Sequence, residues 1–213
     1  MKIKTFILLT LLSTQGLADS LPDTLKRIES EWAGIYYGLP KPKRHDAYLV
    51  LLDKIEPLNK PYPNDANVIY WQGLVKACAA DYKNPLSALR TIHEVRDLLT
   101  KAVAINPKVM NGVAYAILGE IYDKVPGWPI GFGDDEIAKK MLETALKISP
   151  DGMVSNYFYG DFLLTHDNEK AAESYFKKAL NAPIRPDQAY ADNQFKHKVE
   201  RALKKMGVSI AAK

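Results

Sequence analysis

"YAILGEIYDKVPGWPIGFGDDEIAKKMLETALKISP" (Tyr115–Pro150) holds in one stretch the features that decide how this chain folds. Apolar residues recur three and four apart on both sides of a Gly- and Pro-rich centre, the period of two amphipathic helices. Gly119 and Ala138 put small residues inside those runs, where two helix backbones can approach closely. Leu142 and Tyr122 are the large residues that fill the space between. The second run stops at Pro150, which lacks an N–H and disfavours helix in the residue before it. The stretch therefore predicts a helix, a turn, a second helix and a stop.

The same pieces recur outward from it. "AVAINP" (Ala102–Pro107) and "ALNAP" (Ala179–Pro183) end helical runs as "ALKISP" does, and Gly73 and Gly160 repeat the role of Gly119. Gly160 to Ala172 is 12 residues and Ala172 to Ala179 is 7. These spacings resemble the tetratricopeptide repeat, a helix-turn-helix unit that buries its apolar face only by stacking on neighbours. "LGEIY" (Leu118–Tyr122) and "AESYF" (Ala172–Phe176) carry its L-G-x-x-Y and A-x-x-x-F pieces. Gly119 to Ala138 is 19 residues, seven more than 12, so the Gly-rich turn is an insertion between paired helices. A fainter unit, with Ala33, His45, Leu52 and Pro57, precedes the rest. The expected fold is an all-α, tetratricopeptide-like solenoid: a degenerate unit over 23–60, repeats over about 64–107, 108–150 and 151–184, and a capping helix over 186–206.

The N-terminus reads as a leader. Lys2 and Lys4 precede an apolar run, and "QGLA" ends in small residues suited to cleavage after Ala18. That run is shorter than the roughly 20 residues a membrane span needs. The expectation is a periplasmic protein that spans no membrane once cleaved. Losing Lys2 and Lys4 lowers the formal charge from +4 to +2, without a basic arm that would suit nucleic acid. The single cysteine, Cys78, has no partner for an internal disulfide and sits in an apolar helical run, as a small hydrophobe does.

"PGWPIGFGD" (Pro126–Asp134) and "NYFYGDFL" (Asn156–Leu163) carry a closer resemblance. The chain resembles a family of exported bacterial tetratricopeptide proteins with a P-G-W-P-x-G-F-G-D loop. That family is related to the periplasmic T component of some tripartite ATP-independent periplasmic transporters. The resemblance implies a transport partner and a small apolar ligand held in a pore.

A Gly-rich loop before a helix can cradle phosphate, but Asp134 is placed to cap that helix, and Asp135 and Glu136 add charge that repels an anion. The loop is expected to be an elbow with Trp128 and Phe132 folded back onto the repeat, or a lid over a groove. Counting from each glycine, the inward set is Asn67, Tyr70 and Leu74; Val113, Ala116, Glu120 and Asp123; and Val154, Tyr157 and Asp161. Candidate binding residues are Tyr70, Glu120, Asp123, Trp128, Phe132, Tyr157 and Asp161. His45, His93, His166 and His197 are scattered without metal-ligand spacing, and no nucleophile motif is present, so no catalytic residue, metal or cofactor is expected. The expected function is a non-enzymatic scaffold holding a protein partner on its concave face. The alternative is a transporter accessory holding a small apolar or amphipathic solute, with the Trp128 loop as its lid.

Overall fold

Four helices stop two residues before a proline, and this sets the rhythm of the chain. In the computed structural model, which describes residues 20–209, these are α2 (Lys41–Ile55), α4 (Pro85–Ile105), α6 (Asp135–Ile148) and α8 (Glu169–Asn181), ahead of Pro57, Pro107, Pro150 and Pro183. Each is the second arm of a helical hairpin. The first arms are α1 (Leu21–Ala33), α3 (Ala66–Ala80), α5 (Val113–Lys124) and α7 (Met153–Thr165), and α9 (Ala189–Lys205) follows. The described residues form an all-α, solenoid-like array. The leader expected over Met1–Ala18 lies outside them. Among them, no helix is long and apolar enough to cross a membrane.

Side-chain oxygens start the helices. Asp65 accepts from the Asn67 and Val68 amides at the head of α3, Asn84 from Ser87 at α4, and Asp134 from Ile137 at α6. Within the hairpins, the small residues make room for large ones. A Cβ on Gly119 would lie 2.5 Å from Leu142 Cγ, and one on Gly160 would lie 3.0 Å from the Phe176 ring. Ala138, Leu142 and Phe162 form a small cluster between a larger core around Tyr48, Ile55, Ile69 and Leu99 and a second around Phe176, Val199 and Leu203.

Two departures from regular repeats shape the centre. The backbone after α1 widens into a π-type turn over Gly34–Gly38, where the Leu39 amide reaches back to the Gly34 carbonyl at 3.1 Å. This turn carries Tyr36 and Tyr37 toward the far end of the chain. There Tyr37 meets Tyr190 of α9, and Arg185 comes within 3.8 Å of Glu29. The α1 segment and the segment around α9 thus touch at two points across the inner face.

Candidate functional site

The inner face of the array holds a part-open cavity of about 760 Å³. Its walls come from the inner faces of α3, α5 and α7, from the π-type turn, and from α9. Trp32, Tyr36, Trp71, Leu74, Ile117 and Phe158 supply rings and branched aliphatics; Asn67, Glu120 and Lys198 are among the polar groups facing it. At the rim, Met110 and Asn111 hold left-handed backbone, with φ of 49° and 52°. For an L side chain such as Met110 that conformation costs about 1–2 kcal/mol, which the packing around it must offset.

Electrostatics divides the cavity into satisfied and unsatisfied groups. Lys124 is satisfied: its Nζ lies 2.7 Å from Asp123 Oδ2 and 3.0 Å from Asp161 Oδ2, and donates to Thr165 Oγ1. Arg185 binds both carboxylate oxygens of Asp192, at 3.1 and 2.7 Å, besides facing Glu29. Lys198 is different. Its Nζ stands 4.5 Å from the centre of the Tyr157 ring, 5.3 Å from Phe158 and 5.5 Å from Phe195. Burial pulls this ammonium below the usual lysine range, against the opposite pull of Glu120 and Asp161. Burial also pushes Glu120 up to about 7, helped by Asp161 and opposed by Lys124 and Lys198. The Cys78 thiol faces the cavity and accepts a hydrogen bond from Trp32 Nε1 at 3.4 Å. Burial pushes its pKa up to about 11, so it stays protonated and weakly nucleophilic.

The residues singled out in the sequence fall into three groups. Tyr70 and Glu120 line the cavity, as do Asn67, Leu74, Val113 and Val154. Tyr157, Asp161 and Asp123 stand one layer back: Tyr157 forms part of the ring set around Lys198, and the two aspartates hold Lys124. The rest lie elsewhere. Ala116 is fully buried, its Cβ directed from α5 into the packed core. Phe132 does fold back, edge-on to His93 and Tyr122 and beneath the Arg96 guanidinium at 4.5 Å. Trp128 does not. It is 89 % exposed and forms no part of the cavity wall, so it is not the roof that a lid over this cavity requires. The loop between Val125 and Asp134 is held as an elbow by backbone bonds, Gly133 N–H to the Pro126 carbonyl and Asp134 N–H to Tyr122.

Trp32, Tyr36, Tyr37, Arg185 and Lys198 are the wall residues that repeat arithmetic missed. For Trp32, Tyr36 and Tyr37 the signal is "EWAGIYYG" (Glu31–Gly38), three aromatics that no repeat position demands; Arg185 and Lys198 carry none. Asp123, Asp135 and His166 also converge, with candidate ligand atoms within 4.8 Å of one another. Asp123 is already neutralised by Lys124, and His166 Nδ1 donates to the Phe162 carbonyl at 2.8 Å while its Nε2 faces Asp135 at 3.3 Å. The cluster is an ion-pair network joining α5, α6 and the end of α7.

No protein-family model matches the chain, and neither does any curated protein. Among solved structures it is similar to a crystal structure of MamA, at 19% identity over 75% of this chain and 84% of that one, with a TM-score of 0.44. A second MamA crystal structure gives 17% identity over 90% and 86%, also at 0.44. A MamA RS-1 ArsTM double mutant gives 17% identity over 85% and 97%, at 0.33. Likeness at this level says nothing of ligand or partner.

Proposed function

We propose that this chain is a non-catalytic binding protein that holds a small amphipathic solute inside its array, as an exported accessory to a periplasmic transport system. One observation carries the reading: Tyr37 meets Tyr190 and Glu29 faces Arg185 across the inner face, beside a part-open cavity of about 760 Å³. That volume falls in the range of small-molecule sites, roughly 300–1,000 Å³, and mostly apolar walls with a few convergent polar groups are their usual make-up. The raised thiol of Cys78 and the separate surroundings of the histidines support binding without chemistry. Export rests on the leader sequence, and the transport partner on the P-G-W-P-x-G-F-G-D resemblance.

A protein partner is the second reading, favoured by a different feature. Trp128 is 89 % exposed and Ile130 70 % exposed on an elbow braced by Phe132. Exposed aromatics on a rigid loop are common anchors in interfaces.

Native mass spectrometry of the protein, purified gently from its own host, tests both. A retained mass on the order of a few hundred daltons, lost on Leu74→Trp filling of the cavity, is the expected result. A co-purifying polypeptide without a small mass would favour the second reading. A bare chain, with no mass regained on incubation with a host lipid and metabolite extract, would overturn the first.

A further inference from the structure

The cavity's charged groups say which end of a solute it would hold. Four cations face it or its rim. Lys124 is held by Asp123 and Asp161, Arg185 by Asp192 and Glu29, and Lys108 is exposed at the mouth. Lys198 has none of these arrangements. Among the described residues no carboxylate oxygen lies within 4.0 Å of its Nζ, and no hydrogen-bond acceptor pairs with it. Three rings, of Tyr157, Phe158 and Phe195, stand around the ammonium, and cation–π attraction offsets part of its desolvation. Rings, however, leave its N–H donors without acceptors, and a largely buried ammonium whose nearest carboxylates, Glu120 and Asp161, act only from beyond 4.0 Å is costly. The free state is thus missing an anionic oxygen at one defined point on the wall.

The rest of the wall agrees. Trp32, Trp71, Leu74 and Ile117 would take an apolar body, not a second polar head. Of the carboxylates near the cavity, Glu29 and Asp192 face Arg185, Asp161 is paired with Lys124, and burial keeps a good part of Glu120 uncharged near neutrality; Asp81, also on the wall, is the one left to repel an anion. One unpaired ammonium calls for one negative charge.

We propose that the site takes a monocarboxylate amphiphile, its carboxylate on Lys198 Nζ and its apolar body against Trp32, Trp71 and Leu74. This inference rests on the solute-holding reading above and adds the chemical class of the solute.

Dodecanoate, dodecanol and dodecylamine, each below its aggregation concentration, test it by titration calorimetry and by the fluorescence of Trp32 and Trp71 in a Trp128→Phe background. The unaltered protein should bind dodecanoate at least tenfold more tightly than dodecanol, and dodecylamine most weakly. Lys198→Met should erase that preference and leave dodecanol binding in place. Because the wild-type preference alone decides the matter, a Lys198→Met protein that fails to fold does not rescue the proposal. Equal binding of acid and alcohol, or preference for the amine, would overturn the carboxylate assignment and leave the cavity reading standing. Binding of none of the three, with native mass spectrometry showing no retained mass, would overturn both.

Discussion

Tyr37 and Tyr190, from opposite ends of the chain, meet edge to face with ring centroids 6.4 Å apart. The contact fastens the π-type turn after α1 to the start of α9, beside the Arg185–Glu29 pair. It braces one side of the part-open cavity on the inner face.

Such a fastening should be weak enough to open. An aromatic pair contributes about 0.5–1.5 kcal/mol beyond its buried area, and Tyr190 is half exposed. Arg185 is 50 % exposed in its side chain, so its pairing with Glu29 at 3.8 Å should couple by no more than about 1 kcal/mol in a double-mutant cycle. Tyr190→Ala should speed hydrogen exchange in Gly34–Gly38 and at the start of α9 while protection in α5 and α6 stays as it was. Unchanged exchange at both ends would mean that the two tyrosines do not fasten the array.

The hairpins make the opposite prediction, of tight coupling. On Gly119→Ala the new Cβ would meet Leu142 Cγ at 2.5 Å and the Ala138 carbonyl at 3.0 Å, so the α5–α6 pair must spread. Overpacking of this kind costs about 1–3 kcal/mol, readable as a lower urea midpoint. Gly34→Ala is the control: nothing lies within 4 Å of the new Cβ and φ is −60°. Here reduced freedom of the unfolded chain should stabilise by about 0.4–1 kcal/mol. Equal effects at the two glycines would sink the close-packing account.

That contrast also explains how much the sequence disclosed. Gly119 against Leu142, Gly160 against Phe176, and helices ending ahead of Pro107, Pro150 and Pro183 are local matters, settled within one hairpin and so visible as spacings. The all-α array followed from them. Tyr70 and Glu120 could be placed on the inner face by helical periodicity. Lys198 could not, because it comes from α9 beyond the repeats. Trp32 and Tyr36 could not, because Trp32 packs onto Trp71 and Cys78 of α3, with Tyr36 stacked on it, from a segment that no repeat position describes. Trp128 misled for a related reason: an aromatic in a Gly-rich turn folds back only if a pocket waits for it, and here Phe132 occupies that place.

Glu120 gives the chain a pH dependence of known sign. Its folded-state pKa, about 7, lies above the ordinary 4.5, chiefly through burial. A raised carboxyl means that the folded state binds the proton more tightly than the unfolded one. Its contribution to stability is therefore full below pH 4.5 and is lost as pH rises through 7, by on the order of 3 kcal/mol at most. His166 is also raised, by its bond to the Phe162 carbonyl and by Asp135 and Asp123, and it acts in the same direction. Urea unfolding at pH 5 and pH 8 should thus show higher stability at pH 5. Glu120→Gln should reduce that difference, leaving the shares due to His166 and to Glu29 and Asp81, whose carboxyls burial also raises. A difference of the same size in the variant would remove Glu120 as its source.

Trp128 and Phe132, four residues apart in one elbow, should separate fold from association. Phe132 is half-buried and contacts His93, Tyr122 and Arg96, so Phe132→Ala should cost about 1–3 kcal/mol, short of the 3–5 for a fully buried ring. Trp128 is 89 % exposed, and Trp128→Ala should change stability by no more than about 0.5 kcal/mol. If a protein partner docks on this elbow, the same change should abolish its co-purification while leaving dodecanoate binding at Lys198 intact. A Trp128→Ala protein that melts earlier than Phe132→Ala would reverse the two roles, making Trp128 the brace of the elbow.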